Sequence, residues 1–310
     1  MKDKLVTLIG GGGFLGRYIA QSLLKTGARV RVAQRDPRQA FFIKPLGGLG
    51  QTQFIAADVS RPETIARAIE HSDAVVNLVG TFSGNLDRVH VAGARAVADA
   101  AASLGVGALV HISAIGADAD SPAAYARTKA AGEEAVRAAY PNATILRPAA
   151  VFGREDQFVN MFAGMIARLP VVPVLRPNVR FQPVYVGDVA QAAVAAIRDP
   201  EQFGGRVYEL GGPEVLTMLE LQQRIAMQVG REPAFLPLPD AVGALMAALP
   251  GAPISRDQWK LLQRDTIVTN GAEGLEALGV ARTAFGSVAP GWLVRYRRAG
   301  RFAQFGDANG

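Results

Sequence analysis

Apolar residues fall in short unbroken runs through the first half of the chain, separated by stretches with helical spacing. Residues 4–9, 30–33, 52–56, 74–79, 108–113 and 143–147 read as strands. A helix starting at Phe14 carries apolar residues at Leu15, Tyr18, Ile19 and Leu23, and further helices are predicted over 62–70, 87–104 and 123–140. Strands that are apolar on both faces belong to a parallel sheet covered on both sides. Strand–helix alternation joined by right-handed crossovers predicts an α/β fold, a Rossmann-type doubly wound sheet. The first domain is assigned to residues 1–153.

The pattern changes beyond Gly153. Residues 170–177 are broken by prolines, and the strands become short. Helices are predicted over 156–165, 189–197 and 217–229, with 189–197 packing back onto the sheet and residues 209–213 forming a strand and turn. Residues 154–310 therefore read as a small C-terminal substrate-side subdomain with returns to the sheet.

The first strand runs into Gly10-Gly11-Gly12-Gly13-Phe14-Leu15-Gly16-Arg17, which places Gly10, Gly13 and Gly16 at G-x-x-G-x-x-G spacing. A strand, a glycine turn and a helix N-terminus form a seat for a dinucleotide pyrophosphate. Unpaired N–H groups and the positive helix end attract phosphate, and glycine lets the backbone approach it. A glycine run alone is weak evidence. The strand before it and the helix after it are what give the motif its meaning.

Composition narrows the chemistry. Of 310 residues, 49% are hydrophobic, enough for a sizeable core. With no cysteine, disulfides, thiolate metal sites and cysteine nucleophiles are excluded. The histidines are His71, His90 and His111, and no metal site is expected. Lys and Arg number 33 against 27 Asp and Glu, giving a net charge of +6. That suits an anionic cofactor and is too diffuse to argue for nucleic acid. The apolar run after Lys4 is too short for a signal peptide, and no segment reads as a membrane span. A cytoplasmic protein without a leader is expected.

Tyr125 and Lys129 stand four apart on a predicted helix and share a face. An ammonium beside a phenol favours phenolate and so prepares an acid or base. A surface lysine beside a half-buried tyrosine has the same spacing. Ser113 ends the fifth predicted strand, where ligands of parallel sheets sit, and can either polarise a carbonyl or bond to backbone. His111, within that strand, reads as a packing residue.

Together the glycine motif, Asn77-Leu78-Val79-Gly80, Ser113 and Tyr125-x-x-x-Lys129 resemble the atypical or extended short-chain dehydrogenase/reductase superfamily. The resemblance spans roughly residues 4–212. It implies Tyr125 as proton donor or acceptor, Lys129 as ribose anchor and activator of Tyr125, and Ser113 as polariser of the substrate. It also implies a cofactor lined by Gly10, Gly13, Phe14, Leu15, Gly16, Arg17, Asp58, Val59, Val79, Gly80 and Pro148, with Asp58 facing the adenine. His111-Ile-Ser-Ala-Ile-Gly-Ala117, Tyr125-Ala-Arg-Thr-Lys129, Phe181-Gln-Pro-Val-Tyr-Val-Gly-Asp188 and Tyr208-Glu-Leu-Gly-Gly-Pro213 are similar to bacterial relatives of the NADPH-binding accessory subunit of respiratory complex I. His90 stands where many extended relatives carry asparagine, and it reads as a helix-packing histidine.

Cofactor choice turns on the end of the second strand, Ala33-Gln34-Arg35-Asp36. An acidic residue there favours NAD(H); Arg35 with Arg17 can clamp a 2′-phosphate, so NADP(H) is favoured over NAD(H). Arg180 is a candidate for substrate phosphate or an ordinary ion pair, and Arg176 carries less weight. The segment Trp292 to Phe302 mixes aromatics and arginines. It reads as a contact for a respiratory complex or the inner face of the cytoplasmic membrane, or as a tail docked on its own domain. Three functions stay open: a carbonyl/alcohol oxidoreductase acting on an unknown small molecule, a non-catalytic nucleotide-holding accessory protein, and a sugar-nucleotide epimerase or dehydratase.

Overall fold

The computed structural model describes residues 1–249 and 254–298. The chain divides into two compact units. The first comprises residues 1–148, 186–210 and 268–281, and the second holds the remainder.

The first unit begins β1 (Leu5–Ile9), α1 (Phe14–Lys25), β2 (Arg29–Gln34), β3 (Thr52–Ala56), α2 (Pro62–Ile69), β4 (Ala74–Asn77), α3 (Gly93–Ser103), β5 (Ala108–Ile112), α4 (Ala124–Ala139) and β6 (Thr144–Pro148). The second unit starts with β7 (Val151–Phe152), α5 (Phe158–Arg168), β8 (Val171–Leu175), β9 (Arg180–Phe181) and β10 (Val184–Tyr185). The chain returns to the first unit with α6 (Val186–Arg198), α7 (Pro200–Phe203) and β11 (Val207–Leu210). It continues in the second with β12 (Leu216–Thr217), α8 (Met218–Val229), β13 (Ala234–Leu238), α9 (Asp240–Ala248) and α10 (Arg256–Leu261).

Seven strands form one sheet in the order β11-β6-β5-β4-β1-β2-β3. Every neighbouring pair is parallel. The sheet is the doubly wound α/β arrangement that the apolar runs predict. β1, β4 and β5 are buried along their whole length. On one face Ile9, Val75 and Leu109 pack with Ile65 of α2, Val97 of α3 and Val136 of α4. α1 and α6 pack against each other.

Strand order reverses between β1 and β4, and ligands of open α/β sheets sit outside the carboxyl ends at such a point. Register brings those ends level: Ile9 pairs with Ala33 and Asn77, and Asn77 pairs with His111. Two local features go beyond the alternating pattern. Pro37–Leu46 is a 3-10 helix capped by Asp36, and the helix expected over 87–104 opens with a π-helical turn at Asp87–Ala92 before α3.

The second unit packs its own core, including Phe152, Phe162, Phe181, Leu221, Ile225 and Phe285. β8 pairs with β13 and β7 with β10 in parallel, and β9 pairs with β12 antiparallel. α8 starts with a reciprocal Thr217–Glu220 capping box and ends at Gly230 in left-handed backbone. Trp292 and Leu293 of the tail are part of this core. Arg295 donates to Asn160 Oδ1 at 2.6 Å, and Arg297 donates to the Gln228 carbonyl at 3.0 Å. The last residues of the aromatic–basic segment, 299–302, lie outside the described residues. No helix among the described residues is long and apolar enough to cross a membrane, and no group of three or more His, Asp or Glu among them is placed to hold a metal.

Candidate cofactor and active site

The glycine turn is shaped for close backbone approach. Gly10 takes a φ of +78°, and a Cβ there would meet the Val79 side chain at 3.0 Å. At Gly16, inside α1, a Cβ would lie 2.3 Å from the Gly11 carbonyl oxygen. Any side chain at Gly16 would therefore push α1 off the turn. Gly13 is the N-cap of α1 and carries no side-chain cap, so the first turn presents free N–H groups to a ligand. Phe14 and Leu15 open that turn, with Phe14 edge-on to Tyr18 at 5.8 Å. This cradle fits the pyrophosphate of a dinucleotide.

β2 ends at Gln34, one residue beyond the apolar run and one before Arg35. The Gln34 carboxamide lies against Gly12, where an added Cβ would meet its Oε1 at 2.0 Å, and it donates to the Asp36 carbonyl at 2.7 Å. The residue at the strand end is thus neutral. Asp36, the nearby acid, is held by Arg38, whose backbone N–H and guanidinium both donate to it. This pairing lowers the Asp36 pKa. Arg35 is exposed, and the Arg17 guanidinium lies 5.0 Å from the Phe42 ring centre.

Beyond β3, Asp58 Oδ1 accepts from the Ser60 N–H at 2.9 Å and the Ser60 hydroxyl at 2.7 Å. Those bonds lower its pKa, led by the backbone N–H. Val59 packs against Gly93, where a Cβ would come within 2.9 Å of it. After β4, the Val79 N–H donates to Asn77 Oδ1 at 3.2 Å. A Cβ on Gly80 would lie 3.9 Å from both His90 Nε2 and Lys129 Nζ, so this loop passes directly over the lysine. Pro148 closes β6 and accepts from the Ile115 N–H at 3.0 Å.

Tyr125 and Lys129 sit on successive turns of α4. The Lys129 ammonium is buried and donates to the Ile112 carbonyl at 2.8 Å, at the end of β5. Burial lowers its pKa to about 8, opposed by the charge of Glu133. Tyr125 is half-buried, with Phe82 stacked on its ring at 4.4 Å and His90 edge-on at 5.4 Å. Burial pushes the phenol up to about 12. This is opposite to the lowering that an adjacent ammonium implies, and it leaves Tyr125 protonated at neutral pH.

Ser113 donates its hydroxyl to Glu133 Oε1 at 2.5 Å. Glu133 is fully buried and also accepts from Arg137 at 2.8 Å and from two Arg147 nitrogens at 2.8 Å. Glu209 lies 3.5 Å from Arg147. A substrate carbonyl would have to compete with a carboxylate for the Ser113 hydrogen.

His111 is fully buried. Its Nδ1 meets the Asn77 amide at 3.1 Å, and burial holds its pKa well below the ordinary value. Arg180, in the second unit, pairs with Asp265 through its backbone N–H and its Nε, each at 2.8 Å. Arg176 pairs with Asp240.

Gln34, Phe82 and Glu133 are neighbours of the site that motif reading passes over. Glu133 alone had a signal: it stands four residues after Lys129 and continues the Tyr125–Lys129 face.

Residues 6–211 match the NAD dependent epimerase/dehydratase family. The chain belongs to that family. It is 33% identical to the mitochondrial NADH dehydrogenase [ubiquinone] 1 alpha subcomplex subunit 9 of Arabidopsis thaliana, over 96% of this chain and 79% of that protein. It is 32% identical to a ceramide reductase of Caulobacter vibrioides, over 79% of this chain and 78% of that protein. An NADPH-dependent quinone oxidoreductase of Escherichia coli, solved with NADPH, superposes with a TM-score of 0.75 at 21% identity, covering 93% of this chain and 99% of that one. The fold of this epimerase/dehydratase-family chain is the NAD(P)-binding Rossmann fold of short-chain dehydrogenase/reductases.

Proposed function

We propose that this chain binds NADP(H) and reduces a carbonyl group of a small molecule, with Tyr125 as the proton donor. The observation that carries the reading is the Tyr125–Lys129 pair on α4. It combines a phenol that keeps its proton at neutral pH with a buried ammonium beneath the loop that follows β4. A nicotinamide cofactor bound there would supply the hydride for the carbonyl carbon. Tyr125 gives its proton to the carbonyl oxygen, and the Lys129 charge stabilises the phenolate that remains. Lys129, fixed by the Ile112 carbonyl, also anchors the ribose. Ser113 joins only by exchanging Glu133 for the substrate oxygen.

NADP(H) is favoured over NAD(H) because β2 ends in a neutral amide and the carboxylate of Asp36 is paired with Arg38, while Arg35 beside it is exposed and can meet a 2′-phosphate. Arg35→Ala should weaken NADPH binding about tenfold, the worth of one charge-assisted bond, and leave NADH binding unchanged. Equal effects on both cofactors would remove Arg35 from that role.

A second reading rests on identity over nearly the whole chain to a subunit of the mitochondrial NADH dehydrogenase. Here the nucleotide is held permanently and the protein is a cytoplasmic accessory to a respiratory assembly at the inner face of the membrane. Identifying nucleotide released by denaturing the purified protein tests both. One equivalent of NADP(H) that never exchanges supports the accessory role. Exchange, with NADPH-dependent carbonyl reduction lost in Tyr125→Phe, supports the enzyme. Unchanged turnover in Tyr125→Phe would overturn the role given to that tyrosine.

A further inference from the structure

His90 makes contacts that a packing histidine does not need. It lies in the π-helical turn before α3 and is fully buried. That turn runs against α4 so closely that a Cβ on Gly132 would sit 2.2 Å from the His90 carbonyl oxygen. π-turns recur where a side chain must be set at a functional site. Both ring nitrogens of His90 are engaged. Nε2 accepts the Thr81 backbone N–H at 3.1 Å, and Nδ1 meets Thr128 Oγ1 at 2.9 Å. Nε2 can accept only as a bare nitrogen, so in neutral imidazole the hydrogen is on Nδ1 and is donated to Thr128. Thr128 in turn donates to the Ala124 carbonyl at 2.9 Å. Burial, reinforced by the Lys129 charge, lowers the His90 pKa to about 4 and keeps the imidazole neutral.

The chain of bonds runs from the loop after β4, through the imidazole, to the turn of α4 that carries Tyr125. The residue after Thr81 is Phe82. Its ring is 54% exposed, yet it stacks on Tyr125 with the planes 15° apart. An exposed ring on a loop holds such a pose only if the loop is pinned, and Thr81, next to it in the chain, is the pinned residue. His90 also touches the Tyr125 ring edge-on.

We propose that His90 is a positioning residue: it clasps the β4 loop to α4 and so seats Phe82 on the face of Tyr125. The clasp sets the burial of the phenol and the face from which a substrate reaches it. This inference rests on Tyr125 being the proton donor only for its catalytic consequence; the placement of Phe82 stands apart from it.

The test uses full-length protein with 13C-labelled tyrosine rings, the Tyr125 signal being assigned by its loss in Tyr125→Phe. Phe82→Leu removes the stacked ring and defines the shift that marks an unstacked Tyr125. His90→Leu abolishes both bonds and should move the Tyr125 signal in the same direction and by a similar amount. His90→Gln restores an acceptor for Thr81 and a donor for Thr128, and should keep the signal near wild type. Thr128→Val, which removes the partner of Nδ1 at little change in volume, should give a partial shift and serves if His90→Leu fails to fold.

A folded His90→Leu, or a Thr128→Val, with an unmoved Tyr125 signal overturns the clasp. So does a His90→Gln that shifts as far as His90→Leu. Turnover gives a separate readout. If Tyr125 is the donor, His90→Leu should lower kcat about tenfold. A moved Tyr125 signal without any NADPH-dependent turnover in wild type would sink the reductase reading and leave the clasp intact.

Discussion

Replacing Lys129 by methionine should abolish turnover and make the protein more stable. The ammonium is buried and donates to the Ile112 carbonyl at 2.8 Å. Its pKa falls from 10.5 to about 8, with burial as the first cause. At about 1.36 kcal/mol per unit, holding the charge there costs the fold about 3 kcal/mol at neutral pH. Methionine fills a similar volume without charge, and loss of the bond to Ile112 gives back about 1–2 kcal/mol. A net gain of about 1–2 kcal/mol is therefore expected at pH 7, read from urea unfolding followed by circular dichroism. Because the folded pKa lies below the unfolded one, the unfolded chain binds more protons between about pH 8 and 10.5. Wild-type stability should therefore rise with pH across that window, by up to about 1.4 kcal/mol per unit, and Lys129→Met should lack this rise. A variant less stable than wild type at pH 7, or one with the same pH slope, would refute the claim that Lys129 is held at a cost.

Glu133→Ala should act in the opposite direction. It leaves Arg137, Arg147 and Ser113 without their shared acceptor and should cost about 3–5 kcal/mol in the same urea assay; a loss below about 1 kcal/mol would show that the cluster relaxes freely. Gly16→Ala puts a Cβ 2.3 Å from the Gly11 carbonyl, so α1 must shift away from the turn. Its NADPH affinity, followed by cofactor fluorescence, should fall at least tenfold, and unchanged affinity would show that the turn does not hold the pyrophosphate.

The parts of the molecule that were legible in the sequence are those where one local rule dominates. Short, mostly apolar runs such as Ala74–Asn77 and Ala108–Ile112, alternating with helical stretches, point to central parallel strands, and the sheet follows from them. Tyr125 and Lys129 are legible as neighbours because helix geometry fixes residues four apart on one face. The second strand is read to Ala33 and runs one residue further, because a polar Gln34 gives no apolar signal while its backbone still pairs with Ala56. The bond from Ser113 to Glu133 joins residues 20 apart and depends on a rotamer choice, for which the sequence has no signal. The rise of the Tyr125 pKa is hidden for the same reason. Phe82 stacks on the Tyr125 ring, and the bond from the Thr81 N–H to His90 beside it is one that no periodicity reports.

The α4 face separates the two functional readings more sharply than the fold does. Tyr125, Lys129 and Glu133 follow each other at helical spacing, but only Glu133 is explained by architecture. It ties α4 to β5 and β6 through Ser113 and Arg147. A protein that merely holds a nucleotide would still gain a ribose anchor from Lys129, at the cost that burial of its ammonium carries. It gains nothing comparable from a tyrosine flanked by Phe82 and His90. Groups held at a cost, with pKa values displaced by burial, are characteristic of sites where protons move. Tyr125, set on the Lys129 face between Phe82 and His90, therefore favours turnover over permanent storage.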